Sequence, residues 1–257
     1  MTGPLAELPE GLLHTLSAVI PDFTLVGSFA RDYRVHTIAG LPRVAQTLDV
    51  DIAILVPSMT DYRTQMKPFN GPHGTGIAFL INGIQVDVIP YGPQIAPQGI
   101  VETLEGVTLD VTGMNEAAAT AEQVPIGTAT VKIPTLSSMI GLKLVAWAYR
   151  NRTTQKDARD LGPLITATYH GPSGEDLWTN HDAGMKWAYD DMLMGPYIAG
   201  RELASTWGQA SLDRLNEILQ PTGIAERSTQ IARSPTTPSS VVAEQLKALR
   251  QGISQDA

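Results

Sequence analysis

Asp49-Val50-Asp51-Ile52-Ala53-Ile54-Leu55-Val56 decides the fold. Val50, Ile52, Ile54 and Val56 recur at every second position, the period of a strand with one buried face. Asp49 and Asp51 then fall together on the opposite face, about 7 Å apart at the rise of a strand. Aspartate is depleted from strands, and two carboxylates held so close repel each other unless a cation sits between them. Magnesium suits such a pair, because it takes a few carboxylates and leaves the rest of its octahedron to water and phosphate oxygens. The competing reading is an exposed Asp-x-Asp at a strand start, and the pair alone leaves both open.

Working outward, Gly76 to Ile81 and Ile84 to Ile89 flank Asn82-Gly83, a strong signal for a two-residue hairpin. In the second arm Ile84, Val86 and Val88 share a face and Asp87 points the other way. A carboxylate inside so apolar a strand needs a partner, and a magnesium ion shared with Asp49 and Asp51 is the economical one. A solvated face is the alternative. Upstream, Phe23 to Val26 reads as a short buried strand, followed at once by Gly27-Ser28. Ser28 suits the N-cap of a helix over Phe29 to Tyr33. Backbone N–H groups at such a helix start bind anions, and glycine lets a phosphate approach closely. A plain capped turn is equally compatible with these residues.

The remaining chain supplies the scaffold. Leu5 to Ile20 has helical spacing and stops at Pro21. His36 to Gln46 reads as a loop or short hairpin, and Thr60 to Phe69 as a helix. Val107 to Val111 and Thr128 to Ile133 are expected strands, with a helix over Asn115 to Gln123 between them. Beyond Pro134 the texture turns helical. Thr135 to Arg150 has Met139, Leu142, Val145, Ala146 and Tyr149 on its apolar side, and Thr154 to Tyr169 follows as a second helix. Gly184 to Leu219 stays helical with a break at Gly195-Pro196. Ser228 to Ser240 reads as a flexible linker and Val241 to Arg250 as a short amphipathic helix, expected to dock on a partner or on the chain itself. The expected class is α+β. An α/β-type part over residues 1–134 precedes a helical domain over 135–227 and a linker with a short helix over 228–257.

Composition narrows the function. The chain has no cysteine, which removes disulfides, zinc–thiolate sites and thiol nucleophiles. A net charge of −8 argues against a protein that wraps duplex DNA. Lys143, Arg150, Arg152, Lys156 and Arg159 form the one dense basic stretch, interleaved with Trp147 and Tyr149. Such a mixture fits an RNA backbone with stacked bases or the phosphate side of an active site. Trp147 reads as core. The histidines show no metal-ligand spacing, and neither a Ser-His-Asp set nor a P-loop is evident. Met1 to Glu10 lacks the basic start of a secretory signal, and no apolar run approaches the roughly 20 residues of a membrane span. A cytoplasmic protein without a membrane partner is expected.

Leu25-Val26-Gly27-Ser28, the run Thr47 to Ile54 with its Asp-x-Asp, and Val86-Asp87-Val88-Ile89-Pro90 together resemble the DNA polymerase β-like nucleotidyltransferases. Downstream, Lys143-Leu144-Val145-Ala146-Trp147 and Lys156-Asp157-Ala158-Arg159-Asp160-Leu161 resemble the AbiEii-type family of abortive-infection and toxin–antitoxin nucleotidyltransferases. The likeness covers about Phe23 to Leu161. The gap from Ser28 to Asp49 is longer than the minimal superfamily pattern.

The resemblance implies a mixed sheet with flanking helices, a helical C-terminal domain that completes the active-site cleft, and transfer of an NMP from an NTP with release of pyrophosphate. It implies two magnesium ions, or manganese, held by Asp49, Asp51 and Asp87. Asp87 would serve the attacking-side metal and take the proton. Gly27, Ser28, Lys143 and Lys156 would meet the nucleotide, and Asp157 would orient a base or a lysine. The implied acceptor is tRNA or a protein, and the implied setting is a toxin with a cognate antitoxin. For Lys143, a surface lysine of an amphipathic helix is the alternative. For Lys156, Asp157 and Asp160 it is a salt-bridged helix start. At the level of function, two readings compete: a small-molecule, aminoglycoside-type nucleotidyltransferase, and a non-catalytic nucleotide-binding module.

Overall fold

Alternating apolar residues and tight turns build a sheet first, and helices follow. The computed structural model describes residues 8, 10–43, 49–150, 153–232 and 237–254. Leu5, Thr47, Leu48 and Arg152 lie outside them. The chain divides into two units, Met1–Tyr33 with Ala45–Thr135, and Arg34–Val44 with Leu136–Ala257.

The first unit begins with helix α1 (Glu10–Val19), strand β1 (Thr24–Leu25) and helix α2 (Gly27–Asp32). Strand β2 (Val50–Leu55) follows, then α3 (Met59–Met66), β3 (Asn70–His73), β4 (Ala78–Ile81) and β5 (Ile84–Tyr91). After β6 (Ile100–Glu102) and β7 (Thr108–Asp110) come α4 (Met114–Ala119), β8 (Glu122–Ile126) and β9 (Ala129–Ile133). Seven strands form one mixed sheet in the order β3-β4-β5-β2-β1-β9-β8, and β6 pairs with β7 separately. The expected hairpin is present: Asn82 and Gly83 both have positive φ, 52° and 78°, as a tight turn matching the strand twist demands. The Asn82 amide also donates to the Thr15 hydroxyl at 2.8 Å, tying the turn to α1. The hairpin's second arm then lies parallel to β2, with Asp51 opposite Asp87. Val50, Ile52, Ile54, Val86 and Val88 are all buried, so their shared face is fixed by burial of apolar surface.

Several local expectations are corrected. The helix after β1 starts at Gly27 with Val26 as its N-cap, so Ser28 sits in the first turn and does not cap it. Where a loop is expected from His36, a π-helical turn runs over Tyr33–Ile38. The helix expected to reach Gln123 stops at Ala119, because Glu122–Ile126 pairs antiparallel with β9. That pairing supplies a ladder that the Ala-rich run could not reveal.

The second unit contains α5 (Leu136–Arg150), α6 (Lys156–Ala167), α7 (Gly171–Leu177), α8 (His181–Lys186), α9 (Asp191–Thr206), α10 (Gln209–Ile218), α11 (Pro221–Ile231) and α12 (Ser239–Ser254). The buried side of α5 includes Ser137, Ile140, Lys143, Leu144 and Trp147 besides Met139 and Val145, while Tyr149 is exposed. Its inner face is thus rotated from the one expected, since tertiary partners surround more of the helix than one stripe. Gly195-Pro196 does not break α9, which runs through both. Instead Gly195 packs tightly on Thr168 at the end of α6. The expected linker is corrected too. Helix α11 continues to Ile231 with Ser228 and Ile231 buried, and α12 resumes at Ser239; residues 233–236 lie outside the described part. Helix α12 lies against α9 with backbone nearly touching backbone. A Cβ at Gly200 would overlap the Leu249 carbonyl, and one at Gly252 the Tyr197 carbonyl. Glycine at both crossing points permits the approach.

Candidate metal and nucleotide site

Asp51 and Asp87 stand side by side because β2 and β5 run parallel in register. Asp49 enters just before β2 on the same face. One carboxylate oxygen from each of the three lies within 4.8 Å of the others, and all three residues are half-buried. Among the described residues this is the one cluster of acids or histidines close enough to share an ion. Three carboxylates at this spacing repel strongly without a cation, and an all-oxygen donor set suits a hard divalent ion. The donor set therefore fits magnesium or manganese.

Gly27 is built against this cluster. Its φ is +64°, a region costly for side-chain-bearing residues, and a Cβ there would fall inside the Asp51 carboxylate. The start of α2 therefore rests on the acidic face. Ser28 is only 2% exposed. At the end of the same helix Arg31 and Asp32 are both buried and paired, Nη2 to Oδ1 at 2.6 Å. Its signal in the sequence is a charged dipeptide that directly follows the uncharged run from Phe23 to Ala30.

Two further residues support Asp87. The Gln85 amide donates to Asp87 Oδ1 at 3.1 Å. The fully buried Tyr62 hydroxyl donates to the Val88 carbonyl at 2.7 Å. Burial first, and the Asp87 charge second, push the Tyr62 phenol well above its ordinary range, so it remains a donor. Gln85 was legible as the i−2 neighbour of Asp87 on one strand face. Tyr62 was not, because it reaches the site from a different element.

In the helical unit Lys143, Asp157 and Asp160 come together. Lys143 Nζ lies 2.6 Å from Asp160 Oδ2 and 3.2 Å from Asp157 Oδ1. Arg150 completes the group, Nε to Asp157 Oδ2 at 2.5 Å and Nη2 to Oδ1 at 2.8 Å. Burial alone would raise the Asp157 pKa; the Arg150 hydrogen bond and the Lys143 and Arg150 charges outweigh it and hold the carboxyl below its usual range. Lys143 is 7% exposed and Asp157 wholly buried, so the lysine is held in a bridge between two carboxylates. Lys156 is half-buried at the first position of α6, with its N–H donated to the Thr154 hydroxyl at 3.2 Å. Trp147 is 1% exposed, stacked under Arg227 at 4.4 Å and hydrogen-bonded to Gln230. It is core, as its sequence context suggests. A cavity of about 300 Å³ opens in this unit between Ser137, Thr168, Asp176, Asn180, Ile198 and Glu202, lined by none of the candidate site residues.

Fold and site thus define a mixed α+β sheet unit with a three-aspartate face, and a helical unit with a buried ion network. No protein-family model matches the chain, and no curated protein does. Among solved structures, the Thermotoga maritima CCA-adding enzyme complexed with tRNA-CCA is similar at 13% identity, over 98% of this chain and 83% of that one, with a TM-score of 0.26. A likeness that loose carries no weight for this chain's fold or chemistry. No helix among the described residues is long and apolar enough to cross a membrane.

Proposed function

We propose that this chain is a metal-dependent nucleotidyltransferase, moving an NMP from an NTP to an acceptor with release of pyrophosphate. The observation that carries the reading is the parallel register of Asp51 and Asp87 with Asp49 beside them. Asp49, Asp51 and Asp87 would hold magnesium or manganese, which when bound would activate an attacking hydroxyl and stabilise the leaving pyrophosphate. Asp87, whose carboxylate accepts from Gln85 and whose strand accepts from Tyr62, would take the proton from the attacking hydroxyl. Gly27 opens the backbone of α2 toward the same face, where its first N–H groups suit phosphate oxygens. The family resemblance implies nucleotide contacts for Ser28, Lys143 and Lys156, and for Asp157 the positioning of Lys143 to which it is bridged.

The acceptor favoured by that resemblance is tRNA or a protein, in the setting of a toxin with its antitoxin. One observation favours a second reading, a small cationic acceptor of the aminoglycoside kind. Lys143 and Arg150, half of the dense basic stretch that remains in the described residues, are bridged to Asp157 and Asp160, and the chain carries −8 overall. An acidic surface attracts cations more readily than RNA. The test is incubation with each α-labelled NTP and magnesium against total RNA, purified proteins and aminoglycosides, with Asp51→Asn as control. Label transfer that disappears in the control supports the reading, and its destination chooses between acceptors. No transfer to any acceptor, with metal binding unchanged in Asp51→Asn, overturns it.

A further inference from the structure

The segment from Gly171 to Asp191 carries features that nucleotidyl transfer does not use. Trp178, Met185 and Tyr189 are 54%, 78% and 41% exposed. The Trp178 and Tyr189 rings are parallel to within 7°, their centroids 6.4 Å apart. This arrangement is held in place by the backbone. Ala188 and Tyr189 both adopt positive φ, 50° and 58°, a region that residues with a side chain rarely take. The Tyr189 N–H returns to the Gly184 carbonyl at 2.9 Å, and a Cβ at Gly184 would overlap the Tyr189 ring. Glycine or asparagine would end α8 at less cost. The strained turn instead lays an aromatic ring over α8 and alongside Trp178.

The charges of the same segment say what such rings can meet. Glu175, Asp176, Asp182, Asp190 and Asp191 stand against Lys186 as its one lysine or arginine, and the Lys186 ammonium is turned over the chain's own Tyr197 ring at 5.5 Å. A nucleic-acid platform joins aromatics to cations; here the rings belong to a segment whose excess charge is negative and repels phosphate. Exposed rings in an acidic segment favour guanidinium and ammonium groups, which stack on aromatic faces and are drawn by the negative field. Met185 adds an adaptable apolar contact.

We propose that Trp178, Tyr189 and Met185 form a docking surface for an arginine-rich, partly apolar segment of a partner protein. The site is independent of the aspartate face and goes beyond the transferase reading. The test uses the full chain and two dye-labelled probes, a 12-residue peptide alternating Arg and Leu and a 12-nucleotide single-stranded RNA, followed by anisotropy at low and high salt. The peptide is expected to bind, at least about tenfold more weakly to Trp178→Ala and to the Asp176→Asn/Asp182→Asn variant, and more weakly as salt rises. The RNA is expected to show no binding that Trp178→Ala removes. Met185→Ser, at a 78% exposed position, is a second variant that leaves the rings in place and should also weaken the peptide. Peptide binding unchanged in all three variants, no peptide binding up to millimolar concentration, or RNA binding abolished by Trp178→Ala would each overturn the proposal.

Discussion

Substituting Asp157 by asparagine separates a structural role from a catalytic one. In the folded chain its carboxylate is wholly buried and accepts from Arg150 twice and from Lys143 once. Removing one partner from a buried ion pair costs about 3–5 kcal/mol. Two features reduce that figure. Lys143 keeps Asp160 at 2.6 Å, and the Arg150 side chain is 47% exposed and can turn to water. About 2–4 kcal/mol is therefore expected, read as a lower midpoint in urea unfolding of the full chain with the slope unchanged. The pH dependence has a definite sign. The folded pKa of Asp157 lies below its ordinary value, so its contribution is fully present above the ordinary carboxylate range, near pH 4. It is lost as pH falls through the folded pKa. Asp157→Asn should flatten that part of the acid unfolding profile. A variant within about 0.5 kcal/mol of wild type, the noise level of harmless surface changes, but devoid of nucleotidyl transfer would refute the reasoning and make Asp157 a reacting group.

Asp51→Asn and Asp87→Asn should each weaken manganese binding, followed by electron paramagnetic resonance, by roughly a hundredfold or more. Neither should lower Tm, since each relieves repulsion among three carboxylates. Gly27→Ala and Gly40→Ala both place alanine at positive φ, +64° and +71°, but only at Gly27 does the new Cβ meet a neighbour. Gly40→Ala should lose about 1 kcal/mol in urea unfolding, Gly27→Ala more because its Cβ overlaps the Asp51 carboxylate, and only Gly27→Ala should also weaken manganese binding. Gly252→Val should cost at least about 1–3 kcal/mol by wedging α12 off α9, seen as a lowered Tm; an unchanged Tm would mean that the two helices do not depend on that contact.

What the sequence made legible was local. The Asp-x-Asp strand and the Asn82-Gly83 turn are each set by neighbours two residues away, and both stand where expected. The parallel pairing of β2 with β5 was not legible, because it depends on which strand enters between others. The same holds for β8, whose Glu122 and Pro125 give no strand pattern until β9 lies beside it. Pro196 and the start of the Ser/Thr-rich stretch at Ser228 mislead for a related reason: burial of Gly195 against Thr168, and of Ile231 in the helical unit, outweighs weak local propensity. Lys143 and Asp157 are legible as candidate site residues through the family resemblance, but their bridge, shared with Asp160 and Arg150, appears only when two helices pack.

The glycine crossing of α9 and α12 has a consequence for how the chain is made. Helix α9 leaves the ribosome well before α12, and until then the groove beside Gly200 is open to water. The helical unit can therefore close only late in synthesis, whereas every strand of the seven-stranded sheet has already been translated by Ile133. Ribosome-stalled nascent chains of increasing length should show protease resistance of the sheet unit first. Resistance of the helical unit should arrive in one step, once α12 emerges.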